Sequence, residues 1–269
     1  MSLFGSFRAR LAGRPRPPEP AALFEEPWPV DSADACQFFH TMELPRVGLV
    51  EGLWDLRATM REYLGNYDFA GKRVLDVGAA SGFLSFAVEQ FGAEVVSFDA
   101  LEWEAVPFHA TRHLHARQRA EWAEALARVK NGYWLAHRAL GSRAKVYYGD
   151  VYDLPPELGL FDVSVVGMLL GHIRDPMQAL ISIARRTKGD LIVVDRGPED
   201  ARPIGVFAPD PATSAPANIW WSLSDACITR MMNVLGFKVT ATVAPHRCTD
   251  GTILSDLPLT TFIGRREAW

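Results

Sequence analysis

The segment from Arg73 to Asp99 constrains the fold more than any other. Arg73-Val74-Leu75-Asp76-Val77 is a short, mostly apolar strand-like run, and Gly78-Ala79-Ala80-Ser81-Gly82 breaks it. Apolar residues resume at helical spacing from Phe83 to Phe91. Gly92-Ala93 closes that helix, and Glu94 to Phe98 is a second strand ending at Asp99. Strands buried on both faces read as near-continuous apolar runs, and parallel neighbours need a crossover between them. The segment therefore predicts one right-handed βαβ unit, the seed of an open α/β sheet.

The same reading continues downstream. Leu101 to Gly141 is mostly helical and long for a crossover. Further strands are expected at Ala144–Tyr148, Phe161–Val166, Leu191–Val194, Phe237–Val243 and Leu259–Ile263. A helix is expected over about 175–186, and another from a Ser224 cap to Leu235, stopped by Gly236. The result is a doubly wound, seven-stranded α/β sheet. Upstream, Leu53, Leu56, Met60 and Leu64 recur at helical spacing and predict a helix ending near Gly65-Asn66. The expected organisation is an arm over 1–30, a lid or helical segment over 31–70, and a domain over 71–269 with an insertion at 101–141. Prolines at 15, 17, 18 and 20 make the arm an extended leader. Residues 197–219 hold five of the eighteen prolines, so a long loop is expected there, of the kind that forms lids or substrate walls.

Composition narrows the function classes. The 269 residues are 48% hydrophobic, which excludes disorder over most of the length. Val163 to Gly171, the longest mostly apolar run, is far short of a bilayer span, so no membrane contact is expected. A net charge of −4 argues against a general nucleic-acid binder. Cys36, Cys227 and Cys248 are odd in number and lack any CxxC, which argues against a disulfide scaffold or structural zinc and fits a reducing cytoplasm. His109 and His113, four apart, with His115 nearby, make no complete metal site, and none is expected.

The glycine turn carries the first functional signal. Gly78 permits a sharp turn and Gly82 a close approach to the helix start, but the middle glycine of a dinucleotide fingerprint is missing. Asp76 just before the turn repels phosphate and suits a cation. S-adenosylmethionine carries an ammonium and a sulfonium and no phosphate, so it fits better than NAD. Asp99 ends the second strand, where a carboxylate accepts hydrogen bonds from ribose hydroxyls. Asp150 ends the third, where it can accept from the adenine amine beside the Val151 backbone amide.

From about Gly71 to the C-terminus the chain resembles the class I S-adenosylmethionine-dependent methyltransferases. The resemblance implies a Rossmann-like, mostly parallel sheet with an antiparallel last strand. It also implies a cofactor site of Asp76, Gly78, Ala79, Ala80, Gly82, Asp99, Ala100, Asp150 and Val151, with Met168 lining the methyl-transfer side. Phe39 to Leu44 with Gly52 to Arg57, Gly149 to Leu154, and Leu169 to Pro176 resemble the branch containing the tRNA wobble-uridine carboxymethyltransferase and its small-molecule relatives. No obvious basic cluster grips an anticodon loop, so a small-molecule acceptor, methylated at oxygen or nitrogen, is preferred to RNA. A cofactor-binding domain without turnover is the alternative from another class.

Methyl transfer requires alignment, exclusion of water and, for some acceptors, removal of a proton. His172, after the fourth strand, is the candidate base, with a loop-setting or pocket-shaping histidine as the alternative. His40 and Trp54 are candidate lid residues, and Trp220 and Trp221 are candidate acceptor walls that otherwise belong to core or interface. The 101–141 insertion is a candidate acceptor wall or homodimer surface.

Overall fold

The computed structural model describes residues 23–101, 116–210, 219–249 and 254–267. In chain order these form β1 (Met42–Leu44), β2 (Gly48–Val50), β3 (Trp54–Asp55), α1 (Met60–Tyr63), β4 (Arg73–Val77), α2 (Phe83–Gln90), β5 (Glu94–Ala100) and α3 (Ala116–Leu140). Then follow β6 (Lys145–Gly149), β7 (Phe161–Gly167), α4 (Pro176–Arg186), β8 (Thr187–Asp195), β9 (Gly205–Phe207), β10 (Trp221–Leu223), α5 (Asp225–Val234), β11 (Phe237–Thr249) and β12 (Leu254–Arg266).

Eight strands form the main sheet, in the order β3-β11-β12-β8-β7-β4-β5-β6. The run from β8 to β6 is parallel, whereas β12 is antiparallel to β8 and β11 to β12. The seven expected strands are all present, and the eighth is the two-residue β3 on the outer edge of β11. The chain winds outward from β4 to β5 and β6, then returns to place β7 on the other side of β4. Ligands of open α/β sheets bind at such a reversal, outside the carboxyl ends of the strands.

Alternating residues of the central strands feed two cores. Val74, Val163, Val165, Ile192 and Val194 face the α2–α3 layer, while Leu75, Val77, Val166, Leu191 and Val193 face α4 and α5. Burying a large apolar side chain is worth roughly 1.5–3 kcal/mol, so the two layers make the central strands a rigid base for the loops at their tips. Caps set the helix starts: Asp175 accepts from Gln178 N at 2.9 Å, with Pro176 following, and Ser224 accepts from Cys227 N at 3.2 Å.

Three expectations need correction. The helix expected from Leu53 is a single turn, Met60–Tyr63, because Trp54 and Asp55 pair with Cys248 and Arg247 as β3. The closing strands run to 13 residues each and project past the tip of β8, whose Asp195 pairs with Thr260. The proline-rich loop contains β9, which pairs antiparallel with β10. Most of the expected arm lies outside the described residues, but residues 23–30 rest against the domain: Glu25 N donates to Val146 O at 2.9 Å, and the Trp28 and Trp134 rings lie 5.2 Å apart. The histidines at 109, 113 and 115 lie outside the described residues. Among the described residues no helix is long and apolar enough to cross a membrane, and no cluster of potential metal ligands occurs.

The segment before β4 is a strap held by backbone contact. Thr41 N donates to Trp54 O at 2.7 Å and Trp54 N to Phe39 O at 2.9 Å, while a Cβ on Gly52 would meet the His40 and Phe39 backbones at 2.5 Å. Main chain cannot swing aside as a flexible side chain does. Gly52→Ala is therefore expected to cost about 1–3 kcal/mol of stability in urea unfolding, and to speed hydrogen exchange at Thr41 and Trp54 before the central strands are affected.

Candidate active site

The glycine turn is stitched to the neighbouring strand tip. Gly78 N and Ala79 N both donate to Phe98 O, at 2.9 and 3.0 Å, and Ala80 N donates to the Asp99 carboxylate at 2.6 Å. Gly78 and Gly82 have φ of 84° and 88°, the left-handed region that glycine enters without a steric penalty. Ala80 sits there too, at 47°, and Met168 at 50°. For residues carrying a Cβ these are uncommon conformations, which persist where surrounding contacts hold them.

Asp99 uses its second oxygen to accept from Ala100 N at 2.7 Å. A carboxylate offers about four acceptor positions, so two amides leave capacity for further donors. Burial raises the Asp99 carboxyl above its ordinary range, opposed by the two amides and by Lys130.

Asp76 lies beneath the turn, 1% exposed. Ser85 Oγ donates to its Oδ2 at 2.5 Å, Ser97 Oγ donates to Ser85 Oγ at 2.7 Å, and Tyr133 Oη is 2.8 Å from Ser97 Oγ. Its Oδ1 is buried without a partner. Burial pushes this carboxyl up to about 6, with the Asp99 charge adding and the Ser85 hydrogen bonds opposing. Asp150, just past β6, is exposed and accepts from Tyr152 N at 2.9 Å, and Val151 beside it is buried. Asp76, Asp99 and Asp150 thus stand at the tips of three adjacent parallel strands.

The strap covers the turn. Phe39 N donates to Ser81 Oγ at 3.1 Å, and the His40 ring stacks on Phe83, the first residue of α2, with centroids 5.0 Å apart. His40 Nδ1 is buried without a partner, and burial lowers this imidazole to about 4, so it is neutral at pH 7. Trp54 packs against the core and holds the strap through its backbone.

Across the reversal, Met168 N donates to Val194 O at 2.8 Å, which sets Met168 beside the tip of β8. His172 ends a 3-10 turn, Leu170–His172, its N donating to Leu169 O at 2.9 Å. Trp220 N donates to Gly171 O at 2.8 Å and Trp221 Nε1 to Arg174 O at 3.0 Å, so both tryptophans border this turn. Phe207 of β9 meets the Trp221 ring at 5.2 Å.

Two polar groups here escaped the sequence reading. Tyr63, 2% exposed, carries its hydroxyl to 2.7 Å from where a Cβ on Gly167 would stand. Asp195, 7% exposed, ends β8 in the run Leu191-Ile-Val-Val-Asp195. The signal that singled out Asp99, an acid closing an apolar strand, was present there as well. Tyr63 carried no comparable signal, because its place depends on the strap.

The raised Asp76 carboxyl has a consequence for stability. Its folded value, about 6, exceeds an ordinary aspartate's roughly 3.9, so the folded state binds the proton more tightly. That contribution is fully present below the unfolded value and is lost as pH rises through the folded one. The melting temperature of Asp76→Asn relative to wild type should therefore climb between pH 4 and 7.5 in scanning calorimetry, over a constant offset from the new amide.

The geometry can be set beside known proteins. A family model described as a methyltransferase domain matches residues 55–241. No curated protein matches the chain. Among solved structures, an O-methyltransferase family protein from Burkholderia thailandensis is 15% identical, with a TM-score of 0.51. That match covers 79% of this chain and 56% of the other. A putative RNA methyltransferase from Pyrococcus horikoshii is also 15% identical over 78% of this chain and 84% of its own, with a TM-score of 0.50. Magnesium protoporphyrin IX methyltransferase from Synechocystis, solved with S-adenosylmethionine bound, is 15% identical over 79% and 78%, at 0.49. With more than half of its length matched, the chain belongs to the methyltransferase-domain family, whose cofactor is S-adenosylmethionine.

Proposed function

We propose that the protein is a cytoplasmic enzyme that transfers a methyl group from S-adenosylmethionine to oxygen or nitrogen of a small molecule. The observation that carries the reading is the Asp99 carboxylate, fixed by Ala80 N at 2.6 Å beside the left-handed turn. It sets an acceptor of hydrogen bonds next to a turn with no lysine or arginine in it. Asp99 would hold the ribose hydroxyls, Asp150 and the Val151 amide the adenine, and Gly78 to Gly82 with Ala100 the methionine end. Asp76 adds negative charge beneath the ammonium. The buried, unpartnered Oδ1 of Asp76 and Nδ1 of His40 fit a polar ligand at this place. The free cysteines fit a reducing compartment.

When bound, the cofactor supplies a methyl already activated for in-line displacement. The chain's own work is alignment, exclusion of water and handling of a proton. Met168 would line the methyl side, and the turn carrying His172 would face the acceptor, with the imidazole taking its proton. Trp220 and Trp221 border that turn and would wall the acceptor, while His40 closes the cofactor side and Trp54 anchors the strap.

Calorimetric titration with S-adenosylhomocysteine tests this. Hydrogen bonds to a charged group are worth about 1.5–3 kcal/mol, so Asp99→Ala should weaken binding roughly tenfold or more. Asp99→Asn, which keeps an acceptor for Ala80 N, should fall between. His172→Ala should change affinity less than threefold. Equal affinity for wild type and Asp99→Ala overturns the cofactor site. Tight, salt-sensitive retention of bulk tRNA in a gel shift would replace the small-molecule acceptor with RNA.

A further inference from the structure

The tip of β8 holds a carboxylate that the fold satisfies only in part. Asp195 Oδ1 accepts from Arg196 N at 2.7 Å, while Oδ2 is buried with no partner. Carboxylates with a structural task in this chain look different. Asp162, at the opposite end of the sheet, engages both oxygens, accepting from Arg73 N at 2.8 Å and pairing with Lys188 at 2.9 Å. Asp225 accepts from Thr260 Oγ1 at 2.8 Å. Leaving a buried acceptor unpaired costs about 1–3 kcal/mol, more for a charged one, so Asp195 is a liability to the folded protein alone.

Its surroundings show what would relieve it. Burial drives the Asp195 carboxyl up to about 6, with the Asp225 charge adding and the amides of Arg196, Leu170 and Gly171 opposing. The Gly171 peptide also accepts from Trp220 N at 2.8 Å, and the Trp220 indole Nε1 is itself buried without a partner. Asp195 and Trp220 thus flank one residue, Gly171, of the turn that carries His172. Met168, one position past the end of the neighbouring β7 and level with Asp195, donates to Val194 O at 2.8 Å. An orphaned acceptor beside this turn, and an orphaned donor on the tryptophan whose main chain pairs with it, fit an occupant that brings one of each.

We propose that Asp195 is the acceptor-binding carboxylate of the methyltransferase site, its Oδ2 receiving a hydrogen bond from an O–H or N–H of the molecule to be methylated. The inference rests on the function proposed above and narrows it. The acceptor is a small molecule with an O–H or N–H at or beside the methylated atom and a hydrogen-bond acceptor for Trp220 Nε1. A tertiary amine or thioether without such a donor would leave Oδ2 unpaired and be disfavoured. Asp195 orients the acceptor; the proton is left to His172.

The test uses the full chain, with and without saturating S-adenosylhomocysteine, and capped pairs of probes read by saturation-transfer NMR at pH 7.5. The pairs are phenol with anisole, catechol with veratrole, and aniline with N,N-dimethylaniline. At least one donor-bearing probe is expected to bind at least tenfold more tightly than its capped partner. Asp195→Asn, keeping its Oδ1 on Arg196 N, sets an NH₂ where Oδ2 stood and should erase that preference. The same variant should melt cooperatively, no lower than wild type, and bind S-adenosylhomocysteine within twofold of it. No probe binding, equal binding of capped and uncapped probes, an unchanged preference in the variant, or a loss of cofactor-product affinity each overturns the assignment. A wild-type protein that ignores S-adenosylhomocysteine overturns the cofactor reading instead, while the probe comparison still judges Asp195.

Discussion

The hydrogen bond from Ala80 N to the Asp99 carboxylate is the contact on which the site depends. It joins the turn after β4 to the tip of β5, and Phe98 O takes Gly78 N and Ala79 N directly beside it. Three amides of one turn are thereby committed to one neighbouring strand end. The turn cannot shift relative to that tip without giving them up, and Ala80 is held in a backbone conformation it would not choose alone. Two of the three amides bond a main-chain carbonyl, and the Asp99 carboxylate is itself held by Ala80 N and Ala100 N, so little is left to side-chain rotamers settling when a ligand arrives.

The sheet's carboxyl edge also collects polar groups that the fold leaves incomplete. Asp76 Oδ1, Asp195 Oδ2, His40 Nδ1 and Trp220 Nε1 are buried and unpartnered at or over the strand tips. At the opposite edge Asp162 accepts from Arg73 N and pairs with Lys188, while Arg186 Nε before β8 is likewise buried without a partner. Proteins tolerate such costs chiefly where function requires them. Both buried aspartates are raised for the same reason, loss of solvent around a charge, so the edge is poised to gain from a ligand that restores donors.

The sequence made the central sheet legible because its strands are buried on both faces and must be apolar. The glycine turn was legible because φ values near 85° favour glycine. Reading failed where tertiary pairing overrode local pattern. Leu53 to Tyr67 has helical spacing, yet β11 claims Trp54 and Asp55 as an edge strand, so one helical turn survives. The length of β11 and β12 was hidden because their outer halves leave the core: Val243 is 65% exposed, and an exposed strand need not be apolar. Asp99, Asp150 and Asp195 share one signal, an acid closing a strand. The first two stood out because they follow the glycine turn in the order a nucleoside site requires, whereas an acceptor pocket is assembled from distant loops.

That long hairpin gives the strap its second anchorage. Thr249 N donates to Leu53 O at 2.8 Å and Cys248 pairs with Trp54, while the other end of the strap reaches Ser81 and Phe83 at the glycine turn. One segment therefore bridges the glycine turn and the antiparallel side of the sheet. Tyr63 follows on the same segment, its backbone oxygen accepting from Thr261 Oγ1 at 2.9 Å and its ring meeting His246 edge-on. The contacts at the glycine turn and the position of the Tyr63 phenol thus rest on one piece of backbone, pinned at the turn by Phe39 and His40 and at the hairpin by Leu53 and Trp54.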